Sequence, residues 1–183
     1  DDARTARSFG AEGIGLFRME HMFYGKGSDE PLFLLRKMIL SKTKDERENV
    51  LKKLFRFVKS DVKATLAAMD GLPVTFRLLD PPLHEFVPQD PIRQKELATS
   101  LGVTPREIKE RGESLHESNP MMGHRGVRLG ITYPEVSEMQ IRAIFEAAAE
   151  LIKSGKKCIP EIMIPVTCDP NELAHQKAIC RQI

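Results

Sequence analysis

The sequence predicts an α/β fold, and three observations lead to it. Short apolar runs recur at Ile14–Arg18, Val74–Leu78, Gly126–Thr132 and Ile159–Val166. Between and after them lie longer stretches whose apolar residues fall at three-and-four spacing, the period of a helix with one buried face. Proline- and glycine-marked joins separate the two periods. That alternation implies a parallel sheet with crossover helices on its faces, built from four β/α units.

The chain opens on DDARTARSF, which reads as the end of a helix delivering the chain into the first strand. GAEGIG follows; its glycines permit the tight turns of a helix-to-strand join, and it contains no GxGxxG phosphate fingerprint. From Asp45 to Met69 the sequence predicts a long helix burying Val50, Leu51, Leu54, Phe55, Val58, Val62 and Leu66, stopped at Asp70-Gly71. Between the second and third strands lies an insertion from Asp80 to Pro120. Asp90-Pro91 and Thr104-Pro105-x-Glu107 each set a capping side chain before a proline at the first helical position, so two short helices are expected there. A loop of this size points to function or a partner surface, with a family-specific ornament as the open alternative. The helix opened by Thr132-Tyr133-Pro134-Glu135 runs to Ser154, with Ile141, Ile144, Phe145, Ala148, Leu151 and Ile152 on its buried face and Gly155 at its stop. The run Ile159–Val166 is apolar enough to be buried on both faces, and Asp169-Pro170-x-Glu172 opens a last helix. Both ends read as internal to a larger protein, because four units cannot close a barrel and would leave two strand edges open.

Composition narrows the function classes. In 183 residues, 41% are hydrophobic and 30% charged, enough for one sizeable core. The formal charge is only +2, with acids interleaved among bases, which argues against a nucleic-acid surface. No apolar run is long enough to cross a bilayer and the opening residues do not resemble a signal peptide, so the default expectation is a cytoplasmic protein with no membrane partner. Cys158, Cys168 and Cys180 lack the pairing a zinc site needs and read as free thiols. His21, His84, His116, His124 and His175 show no metal-ligand spacing.

Arg18, Arg77 and Arg125 are the candidate site, each expected near the C-terminal end of a strand. A guanidinium is always charged and offers a planar fork of donors, so several converging from strand ends suit a multiply charged phosphate. The plainer alternative is an ion pair of each with Glu20 or Asp80. Arg128 is expected on the opposite face by strand alternation and reads as structural. Glu20, Asp80 and His124 either orient the arginines or make ordinary surface pairs, and His21 and His84 carry no assigned role.

Four blocks, GAEGIGLFRMEHMF, RLLDPPLHEF, NPMMGHRGVRLGITYPEV and EIMIPVTCDPNEL, resemble in sequence and order the phosphoenolpyruvate-binding barrel of the PEP-utilising enzymes, and within that family its dikinase branch. The resemblance implies that residues 1–183 are a partial barrel domain, the first four β/α units of a TIM-type (β/α)8 barrel with a helical insertion over 80–120. It implies that Arg18, Arg77 and Arg125 bind substrate, with Arg125 also catalytic in stabilising charge during transfer. The reaction implied passes a phosphoryl group from a phosphohistidine to pyruvate, reversibly, with ATP and phosphate as co-substrates of the intact enzyme. Mg2+ is implied as cofactor, its ligands lying outside this chain, as do the phosphohistidine and nucleotide-binding domains that are its expected partners. A homodimer is implied too, and the isolated chain is expected not to turn over. Cys158, Cys168, Cys180 and Glu161 fall outside the family's catalytic and metal motifs. One local departure is Met19, where the family motif Arg-Thr-Glu carries a threonine; it is expected to serve packing. Two alternatives stay open: a phosphoenolpyruvate synthase or other PEP-utilising phosphotransferase, and, from another class, a non-catalytic assembly module using the sheet edges or the insertion as its surface.

Overall fold

The structure, a computed structural model, describes every residue except Asp1, Lys26, Glu117, Ser118, Pro120 and Met122. Helix α1 (Asp2–Ser8) leads into strand β1 (Ile14–Arg18), as the opening residues predict. A 3-10 turn (Met19–Phe23) and helix α2 (Asp29–Leu40) precede α3 (Lys44–Ala68), which crosses back to β2 (Pro73–Arg77). The insertion holds a second 3-10 turn (Leu83–Phe86), α4 (Pro91–Leu101) and α5 (Pro105–Ser114). Then come α6 (Gly126–Thr132), α7 (Pro134–Lys153), β3 (Ile159–Met163) and α8 (Pro170–Gln182). The molecule is α/β, mostly helical, around a small parallel sheet in the order β1-β2-β3 among the described residues.

Local chemistry explains the helix starts. Thr43 accepts from the Glu46 N–H while Glu46 reaches back to the Thr43 N–H, a complete capping box, and Thr104 with Glu107 repeats it at α5. Asp90 caps α4 through the Arg93 N–H, and Asp169 caps α8. The two insertion helices are therefore where their caps place them. The tail of the insertion, at Glu117, Ser118 and Pro120, lies outside the described residues. Helix α2 went unforeseen, although its buried Leu34, Leu35, Met38 and Ile39 repeat at helical spacing.

The main core lies between the sheet and the helix pair α3–α7. Val50, Leu51, Leu54, Val58, Val62 and Leu66 of α3 meet Ile141, Ile144, Ala147, Ala148 and Leu151 of α7 above Val74 and Phe76. Two residues of the expected α7 face are corrected: Phe145 is 37% and Ile152 55% exposed. The buried stripe centres on Ile144, Ala147 and Leu151, leaving those two at its rim. Outside, Lys59 bridges Glu146 and Glu150 at 2.7 and 2.6 Å, and Lys63 adds a second bond to Glu150 at 2.7 Å.

Two strand expectations are corrected as well. The run Gly126–Thr132 is not a strand but the helix α6. Its buried residues, Gly126, Val127, Leu129 and Gly130, follow a helical period once the glycines are counted as buried positions. The glycines are what allow the helix to sit so close. A Cβ on Gly126, whose φ is +55°, would lie 2.7 Å from the Pro165 carbonyl, and one on Gly130 would lie 2.5 Å from Ser137 Oγ. The run Ile159–Val166 forms a strand only to Met163, and Glu161 and Met163 are exposed. Only β2 has a strand on each side among the described residues, and it alone carries fully buried side chains, Val74 and Phe76.

Candidate functional site

Parallel pairing in register sets Arg18, the last residue of β1, directly beside Arg77, the last residue of β2. Two buried carboxylates lie at this end of the sheet: Glu20, in the turn after β1, and Asp80, three residues past Arg77, both 4% exposed. Arg77 donates through Nη2 to Glu20 Oε1 and through Nη1 to Asp80 Oδ2, the latter at 3.1 Å. Asp80 also takes Arg125 as a two-pronged fork, Nε to Oδ1 at 3.1 Å and Nη2 to Oδ2 at 2.9 Å. One buried carboxylate thus spans two arginines, of which Arg125 lies 45 residues along the chain from it.

Of the three predicted arginines, the structure joins Arg77 and Arg125 and leaves Arg18 beside them. Arg18 is exposed, makes no ion pair among the described residues, and borders a cleft with Leu16, His21 and Asp61. Arg125 does not end a strand as expected. It is the extended residue that precedes α6, with φ −143° and ψ 169°. Its position is set by the chain on either side: the Gly126 N–H donates to the Asp80 carbonyl at 3.3 Å and the Val127 N–H to the Pro165 carbonyl at 2.9 Å. The loops after β2 and β3 therefore meet at the start of α6. Nothing in the sequence reading singled out Gly126 for this; its signal was a glycine next to a candidate arginine.

The neighbours divide by contact. Arg128 lies on α6 and not on a strand; it donates to the Gly123 carbonyl at 2.9 Å and reaches Cys168 Sγ at 3.7 Å, bracing the loop before the helix. The His124 ring packs against Tyr133 with centroids 5.7 Å apart, and Met19 is 2% exposed in the core. His84 and His116 face one another at 5.5 Å. The cysteines are free, and burial pushes the Cys158 and Cys180 thiols up, away from the reactive thiolate.

Arg77 and Arg125 balance Glu20 and Asp80, and Arg18, at the end of β1 and with no ion pair to either carboxylate among the described residues, adds one further positive charge nearby. Half-buried Arg77 and Arg125 have their geometry fixed before any ligand arrives, which suits a phosphoryl group. The magnesium ion implied by the resemblance does not fit this chain's residues: Glu20 and Asp80 are committed to arginines, and among the described residues no group of three or more His, Cys, Asp or Glu could hold a metal ion.

Residues 1–183 match the family model described as PEP-utilising enzyme, PEP-binding domain, and the chain belongs to that family. The particular relatives are dikinases. "Pyruvate, phosphate dikinase, chloroplastic" of Mesembryanthemum crystallinum is 50% identical over 185 residues, covering 100% of this chain and 19% of the relative. "Pyruvate, phosphate dikinase 1, chloroplastic" of Arabidopsis thaliana is also 50% identical with the same coverage. "Pyruvate, phosphate dikinase 2" of Zea mays is 49% identical, with 21% of its length covered. The chain spans about a fifth of the length of these relatives. The expectation of a cytoplasmic protein is overturned by the names, since the Mesembryanthemum and Arabidopsis relatives are chloroplastic. No helix among the described residues is long and apolar enough to cross a membrane.

Proposed function

We propose that this chain supplies the phosphoryl-binding side of the pyruvate half-site in a pyruvate, phosphate dikinase, and that the protein carrying it acts in a plastid. The single observation behind this reading is Asp80 holding Arg77 and Arg125 together, with Arg18 in register beside Arg77. In the reaction, a phosphoryl group passes reversibly between a phosphohistidine and the enolate oxygen of pyruvate, ATP and phosphate being co-substrates of the intact enzyme. Such a group carries charge on three equatorial oxygens in a loose transition state, so positioned cations do most of the catalytic work. Arg77 and Arg18 hold two of those oxygens. Arg125, set by its fork on Asp80, stabilises the charge that builds up during transfer. The parallel sheet is the opening arc of a (β/α)8 barrel whose remaining staves, together with the magnesium ligands, phosphohistidine and nucleotide domain, lie outside these residues. The intact protein is a homodimer, which sedimentation of that protein tests.

Calorimetry of phosphoenolpyruvate binding to the intact protein is the direct test. Arg77→Ala removes a charge-assisted contact and is expected to weaken binding by about 1.5–3 kcal/mol, roughly tenfold to a hundredfold. Unchanged affinity would sink the assignment. The 183-residue chain by itself is expected to form no phosphoenolpyruvate, and measurable turnover would contradict the division of labour.

A further inference from the structure

Helix α7 meets the core with apolar side chains at every position but a few, and Gln140 is the polar one that reaches the loop of the arginine site. It is 4% exposed, in the same stripe as Val136, Ile141 and Ile144. A buried amide is costly unless both its ends are bonded. Both are: Nε2 donates to the Val136 carbonyl at 3.0 Å, and Oε1 accepts from the Leu79 N–H at 2.8 Å. An amide bonded through both its nitrogen and its oxygen in a packed helix has one orientation.

Leu79 precedes Asp80. Strand β2 has ended at Arg77, so the amides beyond it need partners elsewhere. The Leu78 N–H finds the Met163 carbonyl at 3.1 Å, the Leu79 N–H finds Gln140, and the Asp80 carbonyl accepts from Gly126 at 3.3 Å. Of these three tethers, only the one from Gln140 is made by a side chain. It joins the outer helix to the residue beside the carboxylate that holds both arginines.

We propose that Gln140 is a positioning residue for phosphoryl transfer: by fixing Leu79 it sets the Asp80 carboxylate, and through it the spacing of Arg77 and Arg125. This inference rests on the reading of the arginines as the phosphoryl site. Misplacing a catalytic group by a fraction of an ångström to one ångström is costly in rate even when the fold is intact.

The test uses the intact protein with Gln140→Met, which keeps the length of the side chain and removes the acceptor. The expected result is a fall of roughly tenfold to a hundredfold in kcat/KM for phosphoenolpyruvate, while phosphorylation of the protein by ATP and phosphate stays within about twofold. Hydrogen exchange is expected to rise in the peptide spanning residues 76–82 and not across the molecule. If Gln140→Met does not fold, Gln140→Asn withdraws the acceptor by one methylene and gives the same readouts. Wild-type kcat/KM in the variant, or equal losses in both half-reactions, overturns the proposal, the second outcome showing a purely structural role. A wild-type protein without phosphoenolpyruvate-dependent activity overturns the functional reading instead and takes this inference with it.

Discussion

Asp80 shows how charge and geometry separate at a single residue. Its carboxylate neutralises part of the arginine cluster, which weakens the cluster's pull on an anion, yet it also ties Arg77 and Arg125 to a single group. Asp80→Asn preserves the volume and removes the charge. Anion binding, read as inhibition by inorganic phosphate, is expected to hold within a few-fold because the site gains net positive charge. The rate of phosphoryl transfer is expected to fall by about a hundredfold because the forked contact is lost. Parallel losses in both measurements would mean that Asp80 matters only for folding. The pairing of Arg77 with Glu20 and Asp80 was legible in the sequence, where it stands as the plainer alternative to a phosphate site. That Arg18 stands apart from Arg77 and Arg125 was not legible, since it depends on where Glu20 and Asp80 turn.

At the scale of elements, the seam between α3 and α7 makes stability depend on acid. Lys59 and Lys63 hold the Glu150 carboxyl down to about 2, from an ordinary value of 4.5. A carboxyl depressed in the folded state contributes stability that is complete above its unfolded value and is lost as the pH falls through its folded one. The urea midpoint should therefore drop between pH 4.5 and 2, and drop less steeply in Glu150→Gln, with the difference shrinking in 1 M salt because the pair is exposed to solvent. Identical slopes would remove Glu150 as the cause. Helix α6 gives a second prediction. At Gly126 a methyl group would meet the Pro165 carbonyl in a backbone conformation that side chains avoid, so Gly126→Ala should lower stability by roughly 1–3 kcal/mol, read as a lower Tm. The same glycine explains why α6 was read as a strand. An apolar run of seven residues has no decisive period of its own, and the helical one appears only when glycines are counted as packing positions. The capped helices of the insertion were read correctly because capping is local chemistry, whereas the shortened β3 was not, because burial is set by neighbours the run itself does not contain.

On the scale of the whole molecule, the α/β class, the parallel sheet and the family were all within reach of the sequence, and the strand count, the full order of elements and the compartment were not. Local periods report elements. They say nothing of which edges are covered, nor of which organelle receives the protein. One contact has a wider consequence. The insertion departs at Asp80 and returns at Gly126, and the Gly126 N–H is bonded to the Asp80 carbonyl. The excursion is a loop pinched shut at its neck, and closing a longer loop at a fixed neck adds little entropy, about 0.6 kcal/mol for each doubling of length. Two glycines added between Gly102 and Val103, at the exposed turn joining α4 and α5, should leave phosphoenolpyruvate affinity within about twofold, measured by the same calorimetry. The neck leaves the exposed turns between its ends free to lengthen over evolutionary time while Asp80 keeps Arg77 and Arg125 at a constant distance.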